Sequence, residues 1–269
     1  ELARKVDTEN AIMVRHIQAI TGSSSARWIG ALSLNPYREF VDSFFANDSD
    51  AFDGDGVHAL TRNKVLVDMA GITHFTQLLE YGQTNDPMLD AGYRVVKEAS
   101  VGESLIRLYE NPQAYPKAFI VPEGEFIPAS DQTRHRIGDD LFDPKKVVYI
   151  SGATPPREFE TPSEDSETSA TITTYTNTRV DVETTSSADA FLVLTDSTSN
   201  EWQTFIDDQP ALSLTANSVF KAAQIPAGKH TVSFRYFSPA VGRAKVLMGI
   251  GLLLTILGYG FAPLKKLAK

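Results

Sequence analysis

The sequence predicts an α+β protein: a mixed α/β layer, then a β-sandwich, then one C-terminal transmembrane helix. Three observations carry this. Val246 to Leu264 is nineteen residues without a charge, which at about 1.5 Å per helical residue gives roughly 28 Å, the thickness of the hydrocarbon core of a bilayer. Between residues 61 and 121 short apolar runs of strand length follow helix-like segments. From residue 180 onward the apolar period changes to two, with Val180 and Val182 alternating with Asp181 and Glu183. The expected division is residues 1–143 as the mixed layer, 144–240 as the sandwich with a loop or linker over 151–169, and 241–269 as the span with a short basic tail.

In chain order, Ile12, Ile17 and Ile20 fall on one side of a helix ending at Gly22. Asn35 and Pro36 supply a cap and a first-turn proline, and Phe40, Val41, Phe44 and Phe45 the apolar face of the second helix. A third helix starts near Thr61, uses Val65, Leu66 and Met69, and stops at Gly71. Strands are expected at 72–75, 93–96, 105–109, 118–121 and 146–150, each bounded by Gly, Pro, Asn or Asp. The stretch 151–169 is rich in Pro, Ser, Thr and Glu and suits a linker. Phe191 to Leu194 is a continuous apolar strand, Trp202 to Ile206 leads into a turn at Asp207-Asp208, and Val232, Phe234 and Tyr236 alternate with polar neighbours. In the span, Gly249, Gly251, Gly258 and Gly260 are compatible with a membrane helix. Lys265, Lys266 and Lys269 follow it, against Arg243 and Lys245 before it, and this excess favours a cytoplasmic C-terminus.

Composition removes several function classes. A net charge of −9 with no Lys/Arg stripe argues against nucleic acid, whose phosphates demand a basic face. With no cysteine, neither a disulfide framework nor a thiolate metal site can form. The chain opens on Glu1 with no basic-then-apolar leader, so it is expected to be processed or a fragment of a longer protein. Asp48, Asp50, Asp53, Asp55 and Gly56 resemble a calcium loop in composition, but placing Gly56 at the turn puts Ala51 at the first ligand position and Arg62 at the twelfth. A solvated acidic loop fits better. The five histidines, His16, His58, His74, His135 and His230, form no HExxH pattern, and Gly22-Ser23-Ser24-Ser25 lacks the second glycine of a nucleophile elbow. No catalytic residue, metal ligand or cofactor site is expected here. Trp202 and Tyr236, with Phe237, are either a sugar-stacking platform or sandwich core.

Leu192-Val193-Leu194-Thr195-Asp196, then Trp202, then Ile206-Asp207, then Ile225-Pro226-Ala227-Gly228-Lys229-His230 running on to Tyr236 resemble the C-terminal region of the YfhO-like family of bacterial membrane proteins. Upstream, Tyr109-Glu110-Asn111-Pro112 with Pro116-Lys117-Ala118-Phe119, the stretch Leu66 to Phe75, and Gly22 with Pro36 to Phe40 are similar to further family motifs in the same order. The family is similar to GT-C glycosyltransferases, multi-spanning enzymes that use polyprenyl-phosphate sugar donors on the outer face of the membrane. Their catalytic carboxylate is placed on a loop far upstream of this region. The resemblance therefore implies an accessory extracytoplasmic module, partnered by the bilayer, by the upstream membrane portion of the same protein, and by a polyprenyl-phosphate sugar or glycan acceptor. Glycan or partner contact is expected at Trp202, Asp207, His230 and Tyr236, gathered with Asp196 and the Pro226–His230 turn at one end of the sandwich. Two departures mark that rim: Ser197 to Glu201 replace an aromatic-Pro-Gly turn, and Asp207-Asp208 replace Asp-Gly. A membrane-anchored carbohydrate- or protein-binding module without an enzyme, or a structural subunit of an envelope complex, are the alternatives.

Overall fold

A computed structural model describes residues 61, 64–80, 86–102, 104–127, 133, 136–137, 142–151 and 168–260. The expected helices before residue 60, the acidic segment at 48–56, nearly all of the 151–169 linker and the basic tail after residue 260 lie outside these residues.

Helix α1 (Lys64–Met69) buries Leu66 and Met69 as expected but turns Val67 inward in place of Val65, which is exposed, and it ends at Gly71, whose φ of +68° is the left-handed conformation a helix stop favours. Strands β1 (His74–Glu80), β2 (Arg94–Val101) and β3 (Ser104–Glu110) form a three-stranded antiparallel sheet in the order β1-β3-β2. The short helix α2 (Pro87–Asp90) bridges β1 and β2, with the Asp86 carboxylate accepting from the Met88 amide.

The residues of the second family-like motif hold this region together. Asn111 donates to the Asp68 carboxylate at 2.8 Å and to the Ile72 carbonyl at 3.0 Å, and accepts from Lys64 Nζ at 2.9 Å. Tyr109 is fully buried and its hydroxyl donates to Asp86, which also accepts from Arg107. Each carboxylate taken from water is thus met by donors, the condition for burying it.

The remaining strands are β4 (Ala118–Val121), β5 (Glu123–Ile127), β6 (Val147–Ser151), β7 (Thr168–Tyr175), β8 (Arg179–Ser186), β9 (Ala190–Ser197), β10 (Trp202–Ile206), β11 (Gln209–Ala211), β12 (Leu214–Ala216), β13 (Phe220–Ile225) and β14 (Gly228–Tyr236). They make a six-stranded sheet in the order β4-β9-β13-β12-β6-β5 and a five-stranded one in the order β11-β10-β14-β8-β7. Among the described strands only β5 and β6 run parallel. The six-stranded sheet draws strands from both sides of residue 144, since β4 pairs with β9 and β5 with β6.

Burial explains the two sequence patterns. Ala190, Leu192 and Leu194 of β9 face the five-stranded sheet and pack with Val180, Val182, Val232 and Phe234. Phe191 and Val193 face the other way, against Leu66, Val67, Met69 and Phe220. A strand buried on both faces needs apolar residues at every position, whereas β8 and β14 alternate, carrying polar residues on their other face, where Ser233 donates to Asp181 at 2.7 Å. Packing is close enough that a Cβ added at Gly124 would fall 2.2 Å from the Phe191 ring. Asn217, buried after β12, exchanges hydrogen bonds with both the amide and the carbonyl of Tyr149, extending the single β12–β6 pair.

Helix α3 (Pro239–Gly260) begins two residues after β14 ends and has no buried residue in its apolar window. Its 22 residues give about 33 Å. It starts before the uncharged run at Val246, so Arg243 and Lys245 stand exposed in its second turn.

Candidate functional site

The antiparallel register of β10 and β14 pairs Trp202 with Tyr236 and Ile206 with Val232. Trp202 and His230 therefore lie at opposite ends of the ladder, which corrects the expected gathering at one end. Four residues of strand separate Trp202 from Ile206, about 13 Å, so the rim splits into two sites.

The far end is made by the β10–β11 turn and the start of β14. Asp207 and Asp208 have φ of +50° and +62°, as a two-residue hairpin loop demands. The Asp207 carboxylate takes the Thr231 amide at 2.9 Å and His230 Nδ1 at 2.7 Å, and His230 Nε2 lies 3.3 Å from the Ala227 carbonyl. The hydrogen bond to Asp207 holds the His230 pKa above its ordinary value, against partial burial, and the same bond holds Asp207 below the usual carboxylate range. Asp208 accepts from Arg235, whose guanidinium lies 4.4 Å over the Phe205 ring. The Pro226-Ala227 turn is fixed to Asp189 by the Ala227 amide.

The near end adjoins α3. Asp196 accepts from the Tyr175 hydroxyl at 3.0 and 2.9 Å and pairs with Lys117 Nζ at 3.0 Å, while Lys117 lies over the Tyr175 ring. Beside it Lys221, 3% exposed, donates to the Ser197 carbonyl at 2.7 Å and sits 4.0 Å over the Trp202 ring. Burial pushes the Lys221 ammonium down to about 8; nearby Asp196 opposes that shift and Lys117 adds to it. Tyr236 meets Trp202 edge to face. One face of Trp202 is thus occupied by a cation and its edge by an aromatic ring, and the side chain belongs to the rim of the sandwich core.

Tyr175 and Lys221 were not singled out in the sequence, and Lys117 stood out only within the Pro116–Phe119 motif. Lys221 carried a readable signal: it stands in the apolar strand Phe220–Ile225 at a position that alternates with Ala222 and shares the face of Ala223. A lysine there must either snorkel out of the sandwich or be held inside by a partner.

Elsewhere an open cleft of ≈ 620 Å³ is lined by Pro112, Tyr115, Pro116, Phe119, Ile120 and Lys145 among others. Lys145 lies over the Tyr115 ring. His74 is exposed and bonds the adjacent Thr73. Among the described residues no three His, Asp or Glu side chains converge as a metal site would require.

Residues 160–247, which hold both ends of the rim and the start of α3, match the family model described as bacterial membrane protein YfhO. The chain is YfhO-like over this span. No curated protein and no solved structure matches it. A YfhO-like region that includes the start of a 22-residue helix, exposed and uncharged from Val246 to Leu257, places the chain at a membrane.

Proposed function

We propose that the chain is the accessory extracytoplasmic module of a GT-C-like membrane glycosyltransferase acting with polyprenyl-phosphate-linked sugars, non-catalytic by itself, with α3 crossing the bilayer and its C-terminus in the cytoplasm. The observation that carries this reading is the junction: a YfhO-like sandwich passes into an apolar helix after two residues, so the sandwich is held against the membrane face where a lipid-linked sugar would be presented. The upstream membrane portion supplies the acidic residue that activates the acceptor and the spans that hold the lipid. The module shapes the entrance to that site.

The separation of the two ends favours a second reading, a membrane-anchored carbohydrate- or protein-binding module. Asp207 and His230 stand about one strand length from the bilayer, where a partner in the envelope would meet them, while Trp202 and Tyr236 stand near the lipid. One experiment separates the readings, and a second tests the orientation they share. Deleting residues 168–236 from the full-length protein is expected to abolish sugar transfer from a polyprenyl-phosphate donor in native membranes; undiminished transfer rejects the accessory role. A cysteine at Ser187 is expected to react with an impermeant maleimide in intact cells and one after Lys269 to resist it, and the opposite pattern rejects the orientation.

A further inference from the structure

The large apolar side chains that residues 168–238 leave exposed are Tyr175, Leu212, Tyr236 and Phe237. All four lie at the end from which α3 departs. Tyr236 and Phe237 end β14 itself. Tyr175 stands beside the β7–β8 hairpin, whose Thr178 carbonyl accepts the Tyr236 amide. Leu212 follows Ala211, the partner of Thr204, and precedes Ser213, whose hydroxyl bonds the Trp202 carbonyl. The Asp207–His230 end exposes no such side chain among the described residues. Scattered single apolar residues on a surface need no explanation, but confinement of all of them to one end does.

Connectivity supplies the occupant. The Phe237 amide is bonded to the Glu201 carbonyl, and Ser238 already caps the helix through its hydroxyl to the Val241 amide. The helix reaches its uncharged run only at Val246, seven residues or about 10 Å later, with Arg243 and Lys245 exposed between. The headgroup layer is roughly 5–8 Å deep on each side of the hydrocarbon, so this end of the sandwich falls at its outer boundary. Aromatic rings with an apolar body and polar tip, flanked by cations such as Arg179, Arg243 and Lys245, are the chemistry that interface selects.

We infer that Tyr175, Leu212, Tyr236 and Phe237 form a lipid-contact face that seats the sandwich on the bilayer headgroups. This rests on α3 spanning the membrane, and the test keeps the two apart. The chain has no cysteine, so single cysteines at Leu212, Phe237, Ser187 and Leu253 carry unambiguous nitroxide labels. The full chain is reconstituted into phosphatidylcholine–phosphatidylglycerol vesicles, and relaxation by oxygen is compared with that by a water-soluble nickel chelate. Leu253 is expected to read hydrocarbon, Ser187 water, and Leu212 and Phe237 a shift toward oxygen between them. The Leu212→Asp/Phe237→Asp variant is expected to lose that shift at a label on Tyr175. If Leu253 reads hydrocarbon while Leu212 and Phe237 match Ser187, the lipid-contact face is wrong and the span stands. Rim labels shielded from both reagents would mean that protein covers the face, which also overturns it. A water-like Leu253 overturns the span and this inference with it.

Discussion

The two ends of the β10–β14 ladder share a core and differ in how they are held. Next to α3 the chemistry centres on a buried cation: Lys221 is driven inside against Trp202, close to Asp196, which pairs with Lys117 and accepts from the exposed Tyr175. At the far end the chemistry is exposed charge: Asp207 and His230 meet at 2.7 Å beside a hairpin turn. In the first arrangement burial sets the energetics of the cation; the second is screened by water and weakened by salt. One strand pair thus carries an end built round a buried cation and an end built round an exposed ion pair.

The comparison breaks most completely if the shared core is emptied. Phe234, 1% exposed, packs in the core that both ends rely on, and Phe234→Ala is expected to cost about 3–5 kcal/mol in denaturation measurements. Loss below 1 kcal/mol would mean that the two sheets do not share a core.

Next in size is the buried lysine. Its pKa is lowered to about 8 from an ordinary 10.5. Below pH 8 the folded and unfolded chains both hold the proton, and the folded one bears the cost of burying it. Between pH 8 and 10.5 the folded chain releases the proton first, so stability rises with pH across that window. Relative to Lys221→Met, the wild type is expected to gain up to roughly 3 kcal/mol from pH 8 to 10.5. A flat difference would show that Lys221 is solvated.

The far end should respond weakly and at another pH. Because His230 has a raised folded pKa, its contribution is complete below its unfolded value near 6.5 and is lost as pH rises through the folded one. Asp207→Asn is expected to return the His230 titration, followed by NMR, toward that ordinary value while costing about 0.2–1 kcal/mol at pH 6. An unmoved His230 pKa would dissolve the pair.

Smallest of all should be Leu212→Ser, within about 0.5 kcal/mol of the wild type in detergent. A larger loss would assign the exposed leucine to folding rather than to the membrane face.

Much of this was legible in the sequence, and the failures have physical causes. The uniform apolar run of β9 announced a strand and Asp207-Asp208 announced a turn; that the strand is buried on both faces and the turn closes a hairpin came from the structure. The uncharged run announced α3, though helical geometry carried it back to Pro239. Where motif order misled was in gathering Trp202 with His230. Neighbours in a motif are not neighbours in a sheet: an antiparallel pair fixes the sum of partner numbers, so pairing Ile206 with Val232 also pairs Trp202 with Tyr236 and sends His230 the other way. The Lys221 cluster escaped because its members come from the start of β4, the ends of β7 and β9 and the starts of β10 and β13, and only the packing of two sheets brings them together.

The junction between β14 and α3 has a mechanical consequence. Sheet hydrogen bonds run to Phe237 and helix hydrogen bonds begin at Ser238, so a single peptide unit separates two stiff bodies. Such a hinge has almost no compliance, and the helix acts as a lever on the sandwich. A membrane helix tilts by about 20° on average, more as the bilayer thins, and β14 extends its nine residues, about 30 Å, from the pivot. His230 lies seven residues, about 23 Å, from Phe237, so with α3 spanning the bilayer such a tilt sweeps the Asp207–His230 tip sideways by about 8 Å, and bilayer thickness becomes a setting for where the tip points.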